Sequence, residues 1–361
     1  SCTELEKTSL LQFLAGFSQD ADLHKLWQEG TSCCKWEGVA CNRNSAVTHV
    51  SLPSRGLEGR ISPALGELIH LEHLNLSHNS LSGSFPLVLL SSRSIVVLDV
   101  SFNQLSGELH ELPSSTPDKP LKWQYPPGLG NCSMLRVLKA GQNNLSGSLP
   151  HELFNATSLE CISFSSNSLE GILDGEYIAK LTNLVILDLG ENGFTGKIPY
   201  SIGQLKRLQK FHLDDNGMSG ELPSTLSNCT NLMTIDLKKN RFTGELAKIL
   251  KRSKNLTTLL IGNNFVQETM PDDESIDGFE NLQANHRPSS KRSDRQRSTE
   301  GGGTGNPCGH AHALQSSGRG LEYKLEQHAR RRGAFGGLRS APKVIDFNHH
   351  GHGVAALSAS S

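Results

Sequence analysis

The sequence predicts an α/β solenoid in which short strands line up, coil after coil, in one parallel concave sheet. The first observation is a segment pattern best seen at 184–199, LVILDLGENGFTGKIP, where leucine-type residues precede an asparagine and a glycine and a proline follow it. The second is that this pattern occurs nine times between residues 47 and 264. The third is its spacing: the copies begin 24 residues apart, except for one step of 25 and one of 40.

The period and the residue pattern together are the leucine-rich repeat signature, whose period is roughly 20–29 residues. The L-x-L centre of each copy is a short strand whose alternate side chains point inward. A single coil cannot enclose a core, so the coils must stack until their interiors become continuous. The copies start at Val47, Leu71, Ile95, Leu135, Leu159, Leu184, Leu208, Leu232 and Leu256.

An asparagine closes the strand segment in eight of the nine copies, and Arg55 takes its place in the first. The turn after a buried strand leaves backbone donors and acceptors without a partner, and an amide side chain can satisfy both. We therefore predict an asparagine ladder through the stack. Its members are Asn79, Asn103, Asn143, Asn167, Asn192, Asn216, Asn240 and Asn264.

The first 46 residues predict a helical cap over the first coil. Thr3 with Glu6 three residues later forms a capping box, and two apolar stripes follow, which predicts two short helices. Four cysteines in this region indicate disulfides, and two pairings remain once a bond between adjacent cysteines is set aside. They are Cys2–Cys33 with Cys34–Cys41, which we favour, and Cys2–Cys34 with Cys33–Cys41. Metal ligation is the alternative, but no paired C-x-x-C supports it.

The remaining cysteines and the glycosylation sequons favour an extracellular chain. Cys132, Cys161 and Cys229 fall within repeats, so we expect buried free thiols. Six N-x-S/T sequons are a density typical of secreted proteins. No signal-peptide pattern is present, and the chain begins at Ser1 as a mature secreted chain would. No apolar run is long enough to span a membrane. The sequons lie at Asn75, Asn131, Asn144, Asn155, Asn228 and Asn255.

The charge distribution divides the chain. Residues 284–361 carry 12 Lys+Arg and 5 Asp+Glu, whereas the whole chain carries 35 and 36. That segment is rich in Arg, Gly, Ser and His and has no hydrophobic period, which predicts a disordered basic tail. We therefore divide the chain into a cap (1–46), the leucine-rich repeats (47–283) and the tail.

The cap also carries a family resemblance. C-T-E-L-E-K-T-S-L-L-Q-F-L, followed by C-C-K-W-E-G-V-A-C, resembles the N-terminal cap of plant leucine-rich-repeat receptors, and the L-S-G-x-[ILF]-P endings resemble plant-type repeats. The stretches ELPSSTP (111–117), GLGNCSMLRVLKAG (128–141) and MPDDESIDGFENLQ (270–283) are similar to the phytosulfokine receptor and tyrosine-sulfated glycopeptide receptor branch. The resemblance implies a plasma-membrane receptor with a right-handed superhelical ectodomain. Such a receptor binds small secreted peptides and works with a co-receptor kinase.

The sequence departs from that family in four ways. The 40-residue step leaves one coil without a strand, so 110–128 is predicted to be an irregular insert over deleted repeats. A further repeat begins at 279 and stops at 283. The non-repeat island of the family is missing, and neither a membrane span nor a kinase motif is present. At the junction we expect the strand at 98–100 to dock beside the strand at 138–140. At the other end we expect the apolar interior around Leu256, Leu259 and Ile261 to be exposed.

Function is expected from the concave face, since no catalytic constellation, cofactor motif or metal motif stands out. The chain is therefore predicted not to be an enzyme, and we expect neither a cofactor nor a nucleic-acid partner. Outward positions of the later strands carry charges that should meet in one ligand-binding patch. Three hypotheses remain: a receptor-type module for a peptide or partner receptor, a secreted inhibitor of a cell-wall-degrading enzyme, and an inactive truncated product. The patch residues are Asp188, Glu191, Lys210, His212, Asp214, Asp215, Asp236, Lys238 and Lys239.

Overall fold

The computed structural model describes residues 2–109, 133–246, 254–266, 322–325 and 343–346. The predicted junction insert and most of the predicted tail lie outside these residues.

The main sheet is the predicted one. Nine of its strands come from the nine repeats and pair in parallel, each with the strand of the next coil. The central residue of each strand is buried, for example Leu74, Leu187 and Phe211. We call this the concave sheet. Its repeat strands are β3 (Val47–Ser51), β5 (His73–Asn75), β7 (Val97–Asp99), β9 (Val137–Lys139), β11 (Cys161–Ser163), β13 (Ile186–Asp188), β15 (Lys210–His212), β17 (Thr234–Asp236) and β19 (Thr258–Leu260).

A second sheet, which the sequence analysis did not predict, follows the asparagines. The segments expected to be only tight turns pair with the same segments of adjacent coils. Glycines such as Gly196, with φ of 79°, lie within or at the ends of these strands and adopt a backbone conformation that other residues rarely adopt. The strands are β1 (Phe17–Gln19), β4 (Glu58–Arg60), β6 (Ser80–Ser84), β8 (Gln104–Glu108), β10 (Asn144–Gly147), β12 (Ser168–Ile172), β14 (Gly193–Gly196), β16 (Gly217–Glu221) and β18 (Arg241–Thr243).

Helices are few and short outside the cap. Among the described residues, the returning half of most coils contains a 3₁₀ turn, and the coil after β12 has a short α-helix instead. Leucines and isoleucines from these turns, such as Leu65, Ile178 and Ile202, are buried in the same core as the strands. The 3₁₀ helices of the coils are Pro63–Glu67, Leu87–Ser91, His151–Asn155, Tyr200–Gln204 and Ser224–Asn228, and the α-helix is α3 (Gly175–Ile178).

The asparagine side chains join every coil to the one before it. Asn192 is representative: its Oδ1 accepts a hydrogen bond from Leu169 N at 3.0 Å, and its Nδ2 donates to Phe164 O at 3.0 Å. Nδ2 also donates to Leu189 O and Gly190 O within its own coil. The other seven asparagines bond in the same way, from Asn79 to Asn264. Each amide therefore satisfies backbone groups of two coils.

The cap contains the two predicted helices, α1 (Glu4–Leu14) and α2 (Leu23–Leu26), and strand β2 (Val39–Cys41). The capping box of Thr3 and Glu6 is present. Glu6 is buried, and its second carboxylate oxygen accepts a hydrogen bond from Val47 N at 2.8 Å. This carboxylate therefore connects the first helix directly to the first repeat strand.

The cap disulfides are Cys2–Cys33 and Cys34–Cys41, the pairing that we favoured. In the same cap, the rings of Trp27 and Trp36 stack with their centroids 5.3 Å apart. The predictions for the other three cysteines have different outcomes. Cys229 is a buried free thiol, and burial raises its pKa to about 11. The prediction is wrong for Cys161, which is disulfide-bonded to a residue outside the described ones, and Cys132 lies outside them.

The two coils that flank the 40-residue step dock directly on each other, as predicted. Strand β7 pairs in parallel with β9, with Leu98 opposite Leu138. Asn143 Nδ2 donates to Val100 O at 3.1 Å across the junction. Both sheets therefore continue through it, because β8 and β10 also pair.

The end of the repeat stack differs from expectation. Leu256, Leu259 and Ile261 are at most 3% exposed. A strand from the predicted tail, β21 (Lys343–Asp346), pairs in parallel with β19, and β20 (Glu322–Leu325) pairs antiparallel to β21. The edge left by the last coil is therefore occupied by backbone from the tail. The prediction of disorder for the rest of the tail concerns residues that the structure does not describe.

The ladder gives a stability prediction. Asn192→Ala should lower the free energy of unfolding by about 1–3 kcal/mol, because Leu169 N and Phe164 O lose their partner in a buried turn. Thr182→Ala, an exposed change in the same coil, is the control. Chemical denaturation of both variants checks this, and equal stabilities would contradict the proposed role of the ladder.

The cap gives a second prediction. Replacing Cys2 and Cys33 together by serine should speed amide hydrogen exchange in α1 while exchange in the repeats stays slow. The reason is that such a disulfide contributes about 2–4 kcal/mol to the free energy of unfolding of the part that it cross-links. Cys229→Ser is the control that removes a thiol without removing a cross-link. Uniformly faster exchange throughout the chain would show instead that cap and repeats unfold as one unit.

Candidate functional site

The nine predicted patch residues lie on one face, on and just after the last strands of the concave sheet. The 24-residue period aligns them in columns. Asp188, His212 and Asp236 occupy the same position on β13, β15 and β17 and are paired in register. Glu191, Asp215 and Lys239 occupy the left-handed position just before the ladder asparagine, with φ between 50° and 53°. We call the nine residues the charged concave surface.

Two carboxylates of this surface are more buried than expected for a solvated face. Asp188 is 7% exposed and Asp236 is 4% exposed. Asp188 Oδ2 accepts hydrogen bonds from Ser163 Oγ at 3.0 Å and Ser165 Oγ at 2.9 Å. Asp236 Oδ2 lies 3.3 Å from Lys238 Nζ. These groups are held by their neighbours, so they form a fixed pattern of charge.

Asp214 lies between the two and is half-buried. Burial is the main cause that raises the pKa of its carboxyl to about 7, and the Asp236 and Asp188 carboxylates raise it further, against the opposing effect of Lys238. Burial also raises the pKa of Asp236. Three acidic groups thus share a partly dry site with one ammonium group, and an added positive charge there would be stabilised.

The outer column is exposed and pairs within itself. Lys239 Nζ lies 2.5 Å from Asp215 Oδ2, and this hydrogen bond is the largest cause that raises the pKa of Lys239. Ser166 Oγ donates to Glu191 Oε2 at 2.6 Å. Lys210, at the start of β15, is half-buried and has an apolar neighbour in Ile186, with which it is in register.

An apolar cluster on the same face was missed by the sequence analysis. Val137, Cys161, Val185 and Ile186 form a buried group separate from the main core, and Val97 packs against it. Except for Val185, these residues take the first strand position in four successive coils, directly before the inward leucine or isoleucine. The absence of charge at this position was the signal that could have revealed it. We call the five residues the apolar concave cluster.

The N-terminal part of the concave face carries histidines and an asparagine in place of the charged and apolar residues of the later strands. His49 and His73 stack with ring centroids 4.3 Å apart on adjacent strands. Burial lowers the pKa of His73, and the neighbouring His49 adds to the effect. Asn75, one of the predicted glycosylation sites, is half-buried on the same strand, and its side chain accepts hydrogen bonds from Ser77.

The other predicted glycosylation sites lie away from the concave strands. Asn144, Asn155 and Asn255 are exposed and Asn228 is half-buried, whereas Asn131 is outside the described residues. Attachment of glycans stays a prediction. In the described part of the chain, the only cluster of metal-ligand types is Cys2, Cys33 and Cys34, whose sulfurs belong to the two cap disulfides. No helix in the same residues has the length and apolarity required to cross a membrane.

Comparison with known proteins places both parts of the molecule. Residues 4–42 match the leucine rich repeat N-terminal domain, and residues 70–91, 183–205 and 207–229 match the leucine rich repeat. The chain is 29% identical over 195 residues to phytosulfokine receptor 1 of Arabidopsis thaliana, covering 45% of this chain and 19% of that receptor. It spans only a small part of the relatives that it matches.

Solved structures of plant receptors are similar to this chain as well. The PEPR1–AtPEP1 complex superposes with a TM-score of 0.64 at 28% identity, covering 74% of this chain and 36% of that one. The ectodomain of the Arabidopsis receptor kinase HAESA with an IDA peptide hormone gives a TM-score of 0.50 at 27% identity, covering 72% and 49%. Homologues and structural neighbours are thus plant leucine-rich-repeat receptor-like proteins.

The acidic site predicts a pH dependence of stability. The pKa of this carboxyl is near 3.8 in the unfolded chain and about 7 in the folded one. Between these two pH values the folded protein therefore holds a proton that the unfolded chain has released. The free energy of unfolding should therefore fall as pH rises toward about 7, by at most about 1.4 kcal/mol per pH unit for one proton. Denaturation of Asp214→Asn at pH 5 and pH 8 should show a smaller fall than the parent. The exposed-carboxyl control Glu176→Gln should match the parent; an unchanged fall in Asp214→Asn would rule out this assignment.

Proposed function

We propose that this leucine-rich-repeat chain, whose homologues are plant receptor-like proteins, is the extracellular recognition module of a cell-surface receptor-like protein. Its ligand is a peptide or the ectodomain of a partner receptor. The proposal follows from a concave sheet whose outward positions align in columns of side chains on one face, as in-register strands require. The relatives support it, since solved neighbours include receptors with peptide hormones.

The observation that carries the proposal is the continuity of the concave sheet from β3 to β19 across the junction. Strands of a sheet lie about 4.8 Å apart. A peptide laid across the nine strands would meet a different side chain at each coil. The chemistry changes along this path from stacked histidines, through the apolar concave cluster, to the charged concave surface. Such a path distinguishes one sequence from another, because apolar and charged ligand groups must match in order.

The relatives also favour a second partner. The resemblance of the cap and the repeats to plant leucine-rich-repeat receptors implies that such receptors work with a co-receptor kinase. We therefore base the co-receptor part of the proposal on the relatives as a class. A co-receptor kinase would bind a receptor already carrying its ligand.

A binding measurement tests the proposal. The purified chain is immobilised and exposed to a panel of synthetic secreted-type plant peptides, and any binder is measured again with Lys210→Glu and Lys238→Glu. Either change should weaken binding at least about tenfold, or about 1.4 kcal/mol, if the ligand lies on the charged concave surface. Lys197→Glu makes the same charge change at an exposed position just after β14 in the second sheet and should leave affinity unchanged.

The alternatives give different results in the same experiment. Inhibition of a purified pectin-degrading enzyme by the chain, with no peptide bound, would favour the secreted inhibitor. Equal losses of affinity in the Lys197→Glu variant and the two concave variants would refute a concave ligand site. A well-folded chain that binds neither peptides nor the enzyme would favour the inactive product.

A further inference from the structure

Two histidines are held side by side at the N-terminal end of the concave sheet. His49 on β3 and His73 on β5 are paired in register. Their rings stack with centroids 4.3 Å apart and planes 4° from parallel, and both side chains are half-buried. Because adjacent strands lie about 4.8 Å apart throughout a sheet, the stacking of the coils keeps the two imidazoles together. They form a preorganised pair of nitrogen ligands.

The hydrogen bonds of Thr48 assign the proton of His49 to one ring nitrogen. Thr48 Oγ1 donates its only proton to Ala40 O at 3.3 Å. The same hydroxyl lies 2.9 Å from His49 Nδ1, so it accepts a hydrogen bond from that nitrogen. Nε2 of the neutral ring therefore presents its lone pair. Metal-bound imidazoles have this arrangement, in which one nitrogen donates to a protein oxygen and the other binds the metal.

The surroundings of the pair favour a cation. The ring of His73 makes no hydrogen bond to the described residues, and its nitrogens are open to solvent. The neighbours in register are uncharged, with Ala40 beside His49 and Val97 beside His73. Glu72 immediately precedes His73 and is exposed. A positive ion at the two rings would thus meet a carboxylate in the adjacent residue and no cation in the adjacent strands.

We propose that His49 and His73 together bind one divalent transition-metal ion, Cu²⁺ in preference to Zn²⁺. Imidazole nitrogen is a ligand that suits both metals, and Cu²⁺ has the higher affinity for a given set of nitrogen ligands. Among the described residues no third ligand atom is grouped with the two rings. The site is therefore open, and water or the Glu72 carboxylate completes the coordination.

Binding requires a small movement at the tips of the rings. Metal–nitrogen bonds of about 2.0–2.1 Å place two nitrogens at adjacent corners of a square site roughly 2.9 Å apart. The nitrogens must therefore converge by roughly 1.4 Å from the stacked separation, if they lie as far apart as the ring centroids. Rotation about the side-chain bonds of two half-buried residues supplies this movement without any change in the backbone of β3 or β5.

The metal site is independent of the proposed function. It lies at the opposite end of the concave sheet from the charged concave surface on β13, β15 and β17. Its test uses metal ions alone and no peptide, so failure of either proposal leaves the other standing.

Residue-specific footprinting of the full chain tests the site. Diethyl pyrocarbonate modifies imidazole nitrogens that no metal occupies, and trypsin then places His49 in peptide 44–55 and His73 in peptide 61–93. Rising concentrations of Cu²⁺ should protect the two histidines with the same midpoint, since one ion binds both. Zn²⁺ should protect both at higher concentration. Two clearly different midpoints, or no protection, would overturn the proposal.

His70 and His78 are internal controls, because both are exposed and lie in the same tryptic peptide as His73. They should stay modified at Cu²⁺ concentrations that protect the pair. Mg²⁺, which prefers oxygen ligands, should protect none of the four. Equal protection of all four histidines by Cu²⁺ would contradict a specific site.

A pair of variants separates metal binding from ring packing. His73→Phe keeps an aromatic ring against His49 but removes the nitrogen ligand. The Cu²⁺ midpoint for protection of His49 should rise at least about tenfold, since the second ligand no longer adds its effective concentration. His70→Ala, the matched control, should leave the midpoint unchanged. An unchanged midpoint in His73→Phe would show that His49 binds alone and would overturn the proposal.

Melting curves without metal establish that the variants fold. If His73→Phe melts well below the parent, the reciprocal variant His49→Phe is used, and protection is measured at His73. The same tenfold rise is expected there. The titration of the parent chain decides between one shared site and none even if both variants unfold.

Discussion

The asparagine side chain that follows the repeat strand in eight of the nine coils makes the interaction on which the rest of the molecule depends. The residue before it adopts a left-handed backbone in all nine coils, from Ser54 to Asn263, a conformation that costs a non-glycine residue roughly 1 kcal/mol or more. The turn leaves carbonyls pointing inward, and the asparagine amide donates to them while its oxygen accepts from the preceding coil. Without that group, a chain reversal inside a dry core would leave backbone groups unsatisfied in every coil. Because the partners belong to two coils, the same bonds fix the rise of the solenoid.

Because the rise from coil to coil is constant, the sequence period determines which side chains become neighbours on the surface. Residues 24 apart become neighbours, so like positions stack into columns whether or not their chemistry suits one another. On the charged concave surface this brings Asp188, His212 and Asp236 into line, with Asp214 in the next column between them. The raised pKa of Asp214 is a consequence of that enforced proximity together with burial. Stacking also gathers the apolar concave cluster, which no single coil would suggest.

The nearest-neighbour character of a solenoid also explains the junction. Stability in such a fold resides in each coil and in its contacts with the adjacent coils. Across the 40-residue step, the two flanking coils therefore meet directly, β7 with β9 and β8 with β10. Asn143 makes the same ladder bond to Val100 O that other asparagines make across intact steps. At the far end the same logic holds, since β21 takes the position that a tenth repeat strand would take.

The sequence by itself determined the features that repeat. Inward leucines, ladder asparagines and the 24-residue step specify the coil, its strand and the direct docking at the junction, because each is a local requirement met many times. The capping box and the cap helices could also be predicted from the sequence, because Thr3 and Glu6 interact within one helical turn. Only the tertiary structure decided what depends on parts of the chain far apart. The second sheet arises because glycine-containing segments become adjacent only after stacking. The burial of Asp188 depends on the serines that the adjacent coil places beside it. The strand added beside β19 comes from a segment outside the repeats, and the repeat period does not predict where such a segment lies.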